Sequence, residues 1–182
     1  MSSVVETFRG ILLLRRGPQD LPYSTQLLIA LAAAYIVVQS FAQTIPTPVS
    51  LGQSLAATAL ATGLIVSALR LALRMRQLGN RFVQSAAALL GANLIFALIN
   101  LPLTIAFGRY PIDDAGRIDT TQITSTQLML TPVVLVLGIW QLVVVGSVLR
   151  HSLNLSLGAG IALIFGWLAA LSLLLGLAGV QG

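Results

Sequence analysis

A chain of 182 residues that is 57% hydrophobic and 8% charged, with a mean hydropathy of +0.94, has too little polar side chain to cover a water-soluble domain, which carries about 25% charged residues. Its solvent must be lipid. The net charge of +5 rests on ten arginines, no lysine and five acids, and the absence of cysteine excludes disulfides, thiolate metal sites, cysteine nucleophiles and iron–sulfur clusters.

Residues 4–16, VVETFRGILLLRR, read as an amphipathic helix. Val4, Phe8, Ile11 and Leu12 share one stripe at helical spacing, Glu6, Arg9 and Arg16 lie opposite, and Leu13 is the misfit. Such a helix suits the cytoplasmic headgroup layer, with Arg15 and Arg16 near anionic lipid. Gly17 is a natural residue to follow the helix end, and Pro18 cannot continue it. Asp20 is then expected to cap the first span, with Pro22 in its first turn and Tyr23 at the membrane interface. This charged elbow, Arg9, Arg15, Arg16 and Asp20, is the candidate contact for a partner or for anionic lipid.

Five runs are long and apolar enough to cross roughly 30 Å of hydrocarbon: 23–44, 51–74, 82–107, 128–150 and 155–179. The fold class expected is an all-α polytopic bundle of five spans, one membrane domain over 1–182, with the interfacial helix in front. Arginines, an apolar run and SFAQ together resemble a cleavable signal peptide. The charged lead is long and the apolar run reaches full spanning length, so the first span is expected to be retained.

Arginine placement sets the orientation. Arg9, Arg15, Arg16, Arg70, Arg74, Arg76, Arg81 and Arg150 fall on one side; Arg109 and Arg117 fall on the other, in a loop shared with Asp113, Asp114 and Asp119. The side with the excess is expected to be cytoplasmic, which puts the N-terminus inside and the C-terminus outside. Charge clustered beside spans in this way implies no nucleic-acid binding.

Inside the spans, Ala57 with Ala61, Ala87 with Gly91, and Ala88 with Ala92 recur four residues apart, and the last span carries Gly158, Gly160, Gly166, Gly176 and Gly179. Small residues let helix backbones approach closely, within one chain or between chains. Asn93 and Asn100 share a face of the third span, with Pro102 and Thr104 following. They read as interhelical glue, with Gln39, Gln43, Gln53 or Gln141 as partners, or as the wall of a polar cavity. No ionisable residue sits in the middle of a span, which argues against a proton relay or an ion-coupled transporter.

The candidate chemistry is sparse. Asp113, Asp114 and Asp119 fit no EF-hand spacing and read as a solvated acidic loop. His151 is the lone histidine, beside Arg150, with no nucleophile or paired carboxylate on its side. No phosphate-binding loop, serine-hydrolase elbow, zinc-protease motif or dinucleotide fingerprint is present. No catalytic residue, cofactor or metal is expected.

Residues 138–177, GIWQLVVVGSVLRHSLNLSLGAGIALIFGWLAALSLLLGL, resemble the C-terminal part of the Yip1-domain family of membrane proteins. Trp140 early in the fourth span, the Arg150–His151 turn and the five-span, N-in, C-out layout carry the resemblance. Eukaryotic members are trafficking factors that act as membrane scaffolds without enzymatic chemistry. The arginine-only, short-loop style looks bacterial. The long hydrophilic N-terminal extension of the eukaryotic forms is missing, so GTPase binding is not implied.

The function expected is that of a non-catalytic bacterial inner-membrane scaffold or accessory subunit. Its expected partners are anionic headgroups, other membrane proteins or a second copy of itself. The alternative is a lipid- or small-solute-handling channel or transporter built round Asn93, Asn100 and Gln141. An enzyme acting on lipid headgroups through the aspartate loop ranks last.

Overall fold

The computed structural model describes residues 4–109, 111 and 120–177. The described chain is entirely helical apart from turns: α1 Val4–Leu12, α2 Thr25–Gln43, α3 Leu51–Met75, α4 Phe82–Phe107, α5 Ser125–Leu153 and α6 Leu157–Leu177. Among the described residues, α2, α3, α4 with its leading turn, and α5 are long and apolar enough to cross a membrane. α6 is a further helix with no charged residue, and it is traced for 21 residues. The end of the predicted fifth span, 178–179, lies outside the described residues.

Local chemistry explains each start and stop. Ser24 caps α2 by accepting from the Leu27 amide at 3.2 Å. Pro46 and Pro48 then prevent the helix from continuing. Ser50 and Gln53 form a reciprocal capping box at the start of α3. Thr124 and Gln127 do the same for α5, and so α5 starts at Ser125, three residues ahead of the predicted boundary.

Three helices at the arginine-rich end stop on a left-handed residue that is not glycine: Leu14 at φ 59°, Gln77 at φ 58° and Asn154 at φ 53°. After α1, the Leu14 amide bonds Ile11 O and the Arg15 amide bonds Gly10 O. After α3, Gln77 N bonds Arg74 O and Leu78 N bonds Leu73 O. Both patterns are Schellman closures, which satisfy the last carbonyls of a helix.

α4 is the centre of the bundle. Over its apolar stretch 61% of the window is buried, against 6% for α5. α2 and α5 flank it, α3 packs outside α2, and α6 packs outside α5. The reason is in the composition of α4. Ala86, Ala87, Ala88, Gly91 and Ala92 are all buried, and such small side chains let two neighbours come close at once. α6 meets α5 through glycines: a Cβ on Gly160 would come within 2.5 Å of the Gly146 carbonyl oxygen.

The structure corrects two expectations at the N-terminus. α1 ends at Leu12 and its closure falls at Leu14, so Gly17 does not end the helix. Asp20 does not cap the first span, because Ser24 does. Asp20 instead turns back and accepts from the Gly17 amide at 2.9 Å, which closes the tight turn Pro18–Asp20. That turn places α1 and α2 on separate axes.

Candidate functional site

The feature that organises the arginine-rich end is the seating of α1 against α4 and α5. The centre of its apolar stripe faces protein: Phe8 is 7% exposed and Ile11 2%, while Val4 at its start is exposed. The Phe8 ring fills the notch that Gly91 leaves, and a Cβ at Gly91 would overlap the ring. Gly91 lies nine residues beyond Phe82, about 13 Å along the helix. Leu12 is held by the Trp140 indole N–H, which donates to the Leu12 carbonyl at 3.1 Å. The Trp140 ring in turn meets Phe96 edge to face, with centroids 5.1 Å apart. α1 is docked on α4 and α5, where the small-residue notch accepts its aromatic side chain.

The four elbow residues do not converge on one site. Arg9 and Arg15 are exposed. Arg16 folds back over Gly10 and donates to Thr7 Oγ1 at 3.3 Å. Asp20 is committed to Gly17.

Of the intramembrane polar set, Asn93 and Gln141 are brought together. Gln141 Nε2 donates to Asn93 Oδ1 at 2.9 Å, and Asn93 Nδ2 donates to the Leu89 carbonyl at 3.0 Å. Asn100 is not part of this pair; its amide donates to Phe96 O within its own helix at 2.9 Å. Gln39 and Gln53 take no part in it. Gln43 serves a different junction, where its Oε1 accepts from Ser54 Oγ at 2.9 Å while Ser54 Oγ and Ser40 Oγ each reach the other's carbonyl across α2 and α3.

Sequence reasoning missed a cluster at the arginine-rich end. Gln19, Arg81, Arg150, His151, Asn154 and Leu155 line a pocket of about 400 Å³. In the sequence Arg81 signals only topology, and nothing marks Gln19. Their meeting requires the elbow, the α3–α4 turn and the α5–α6 turn to arrive at one place. Among the described residues no group of His, Asp and Glu side chains is arranged to hold a metal ion. Asp113, Asp114, Asp119 and Arg117 lie outside the described residues.

The fold and its surfaces define a helical bundle of the polytopic membrane type. Comparison of the chain with family models, with curated proteins and with solved structures finds no match.

Proposed function

We propose that this chain is a non-catalytic integral membrane protein of a bacterial inner membrane, acting by contact as a scaffold or an accessory subunit of a larger complex. The observation that supports this most is how the polar side chains within the helices are used. Asn93, Gln141, Asn100, Gln43, Ser54 and Trp140 all spend hydrogen bonds on neighbouring helices or on their own backbone. Groups committed in this way hold a bundle together; they are poorly placed to coordinate a solute or activate a nucleophile. The resemblance of residues 138–177 to Yip1-domain proteins points the same way, since the eukaryotic members of that family act as scaffolds.

The proposed orientation, N-terminus cytoplasmic and C-terminus outside, follows the arginine asymmetry. Reporter fusions at both termini test it, and reporters active on the same side overturn it. The scaffold reading is tested by purifying the tagged protein from its native membranes in mild detergent. A specific protein recovered in fixed ratio is the expected result. A monodisperse species that carries no other protein counts against it.

A further inference from the structure

We propose that the pocket at the arginine-rich end binds a phosphate-bearing anion. The inference does not depend on the scaffold reading. It starts from convergence: Gln19 comes from the elbow, Arg81 from the turn before α4, and Arg150, His151 and Asn154 from the end of α5. The volume, about 400 Å³, falls in the range of small-ligand sites, which run from about 300 to 1,000 Å³.

The charges in the pocket are uncompensated. Among the described residues no carboxylate lines it. Arg81 Nη1 has one long contact, 3.4 Å to Asn154 Oδ1. Arg150 is exposed and has no partner among the described residues. His151 Nδ1 donates to the Ser147 carbonyl at 2.7 Å, so in the neutral ring Nε2 is an acceptor and the donors to an anion come from the other side chains. α4 begins beside Arg81, so the positive end of its dipole adds to the field there, while the negative end of α5 at Asn154 acts in the opposite sense.

A second, independent observation comes from the adjoining crevice. It shares Gln19, Arg81 and His151 with the pocket, and Ser85 is among its other lining residues. Ser85 is 1% exposed, and its Oγ is buried with no hydrogen-bond partner. Leaving a buried hydroxyl unpaired is costly. The crevice holds about 10 Å³, close to the space one oxygen-sized atom occupies. Arg150 taken alone has an ordinary use, since a basic residue in the last turn offsets the negative end of α5. That use does not account for Arg81, which comes from a different element and lines the same pocket. Two guanidinium groups and the Gln19 amide supply donors from several directions. A phosphate group is all acceptor and carries the matching charge.

The group comes from a lipid headgroup or from a free phosphorylated solute, and one titration distinguishes them. The full chain in neutral detergent is titrated with dioctanoyl phosphatidic acid, inorganic phosphate and dioctanoylglycerol, and binding is read by native mass spectrometry and melting temperature. Saturable binding of the phosphatidic acid alone assigns a lipid headgroup; binding of inorganic phosphate as well assigns the phosphate itself. Either result supports the site. Arg150→Gln and Arg81→Gln are each expected to weaken binding about tenfold, while Arg74→Gln leaves it unchanged. If Arg81→Gln unfolds the bundle, Arg150→Gln still decides, because Arg150 is exposed and its side chain has no partner among the described residues to lose. No saturable binding of either phosphate probe overturns the proposal. So does dioctanoylglycerol binding equally well, or unchanged affinity in Arg150→Gln.

Discussion

The ring of Phe8 sits in the space that Gly91 leaves empty, so the N-terminal arm is held by a residue whose only contribution is to lack a side chain. Gly91→Ala places a Cβ inside the ring position. The rest of α4 cannot yield, because it is packed on both flanks. Overpacking of this kind costs about 1–3 kcal/mol. The expected outcome is release of the arm, seen as faster protease cleavage near Arg15 with the remainder of the bundle intact. Unchanged cleavage would show that the arm does not depend on the notch.

Gly160 faces backbone, where nothing flexible can move aside. Its added Cβ would meet the Gly146 carbonyl oxygen. Gly160→Ala should therefore push α6 off α5 and lower the melting temperature. Gly158→Ala, where a Cβ meets nothing within 4 Å, should leave it unchanged or slightly raised, since alanine is the better helix former. Equal effects at the two positions would contradict the observed packing.

The Asn93–Gln141 bond lends itself to a double-mutant cycle with leucine at each position. The expected coupling is about 0.6 kcal/mol and no more than about 1.7 kcal/mol, the range measured for such bonds within membranes. Additive losses would mean that the two amides do not act as a pair.

Leu14 and Gln77 close their helices in the left-handed region, which costs a residue with a Cβ about 1–2 kcal/mol. Both side chains are exposed, so little packing is lost on truncation. Leu14→Gly and Gln77→Gly should each stabilise the protein by up to about 1 kcal/mol, read as a higher melting temperature. A lower one would place the value of these residues in their side chains.

Trp140 anchors Leu12 through one hydrogen bond and Phe96 through a ring contact. Trp140→Phe keeps the ring and removes the donor. A loss of about 1 kcal/mol is expected, with the carbonyl of Leu12 left unpaired. If Trp140→Ala costs no more than Trp140→Phe, the ring contact contributes nothing.

Apolar run length, capping residues and prolines are local signals, and they located the helices closely. The predicted span 82–107 coincides with α4. The predicted span 128–150 falls three residues inside α5 at each end; the Thr124–Gln127 capping box sets the earlier start at Ser125. The N-terminal elbow went wrong where two local signals competed. Gly17-Pro18 is a strong stop, yet the closure falls earlier, at Leu14, and no residue type announces a left-handed leucine.

Helix existence, the pile-up of arginine at one end and the shortage of catalytic groups are properties of the chain read residue by residue. They follow from transfer free energies and backbone geometry, which depend on near neighbours alone. Three further results depend on distant parts of the chain meeting: α4 at the centre of the bundle, Phe8 finding Gly91, and Gln19, Arg81 and Arg150 closing round one pocket. In lipid, every apolar face is equally soluble, so hydropathy does not say which helix face meets which. Close fit between small and large side chains decides it, and that fit exists only once the helices are packed.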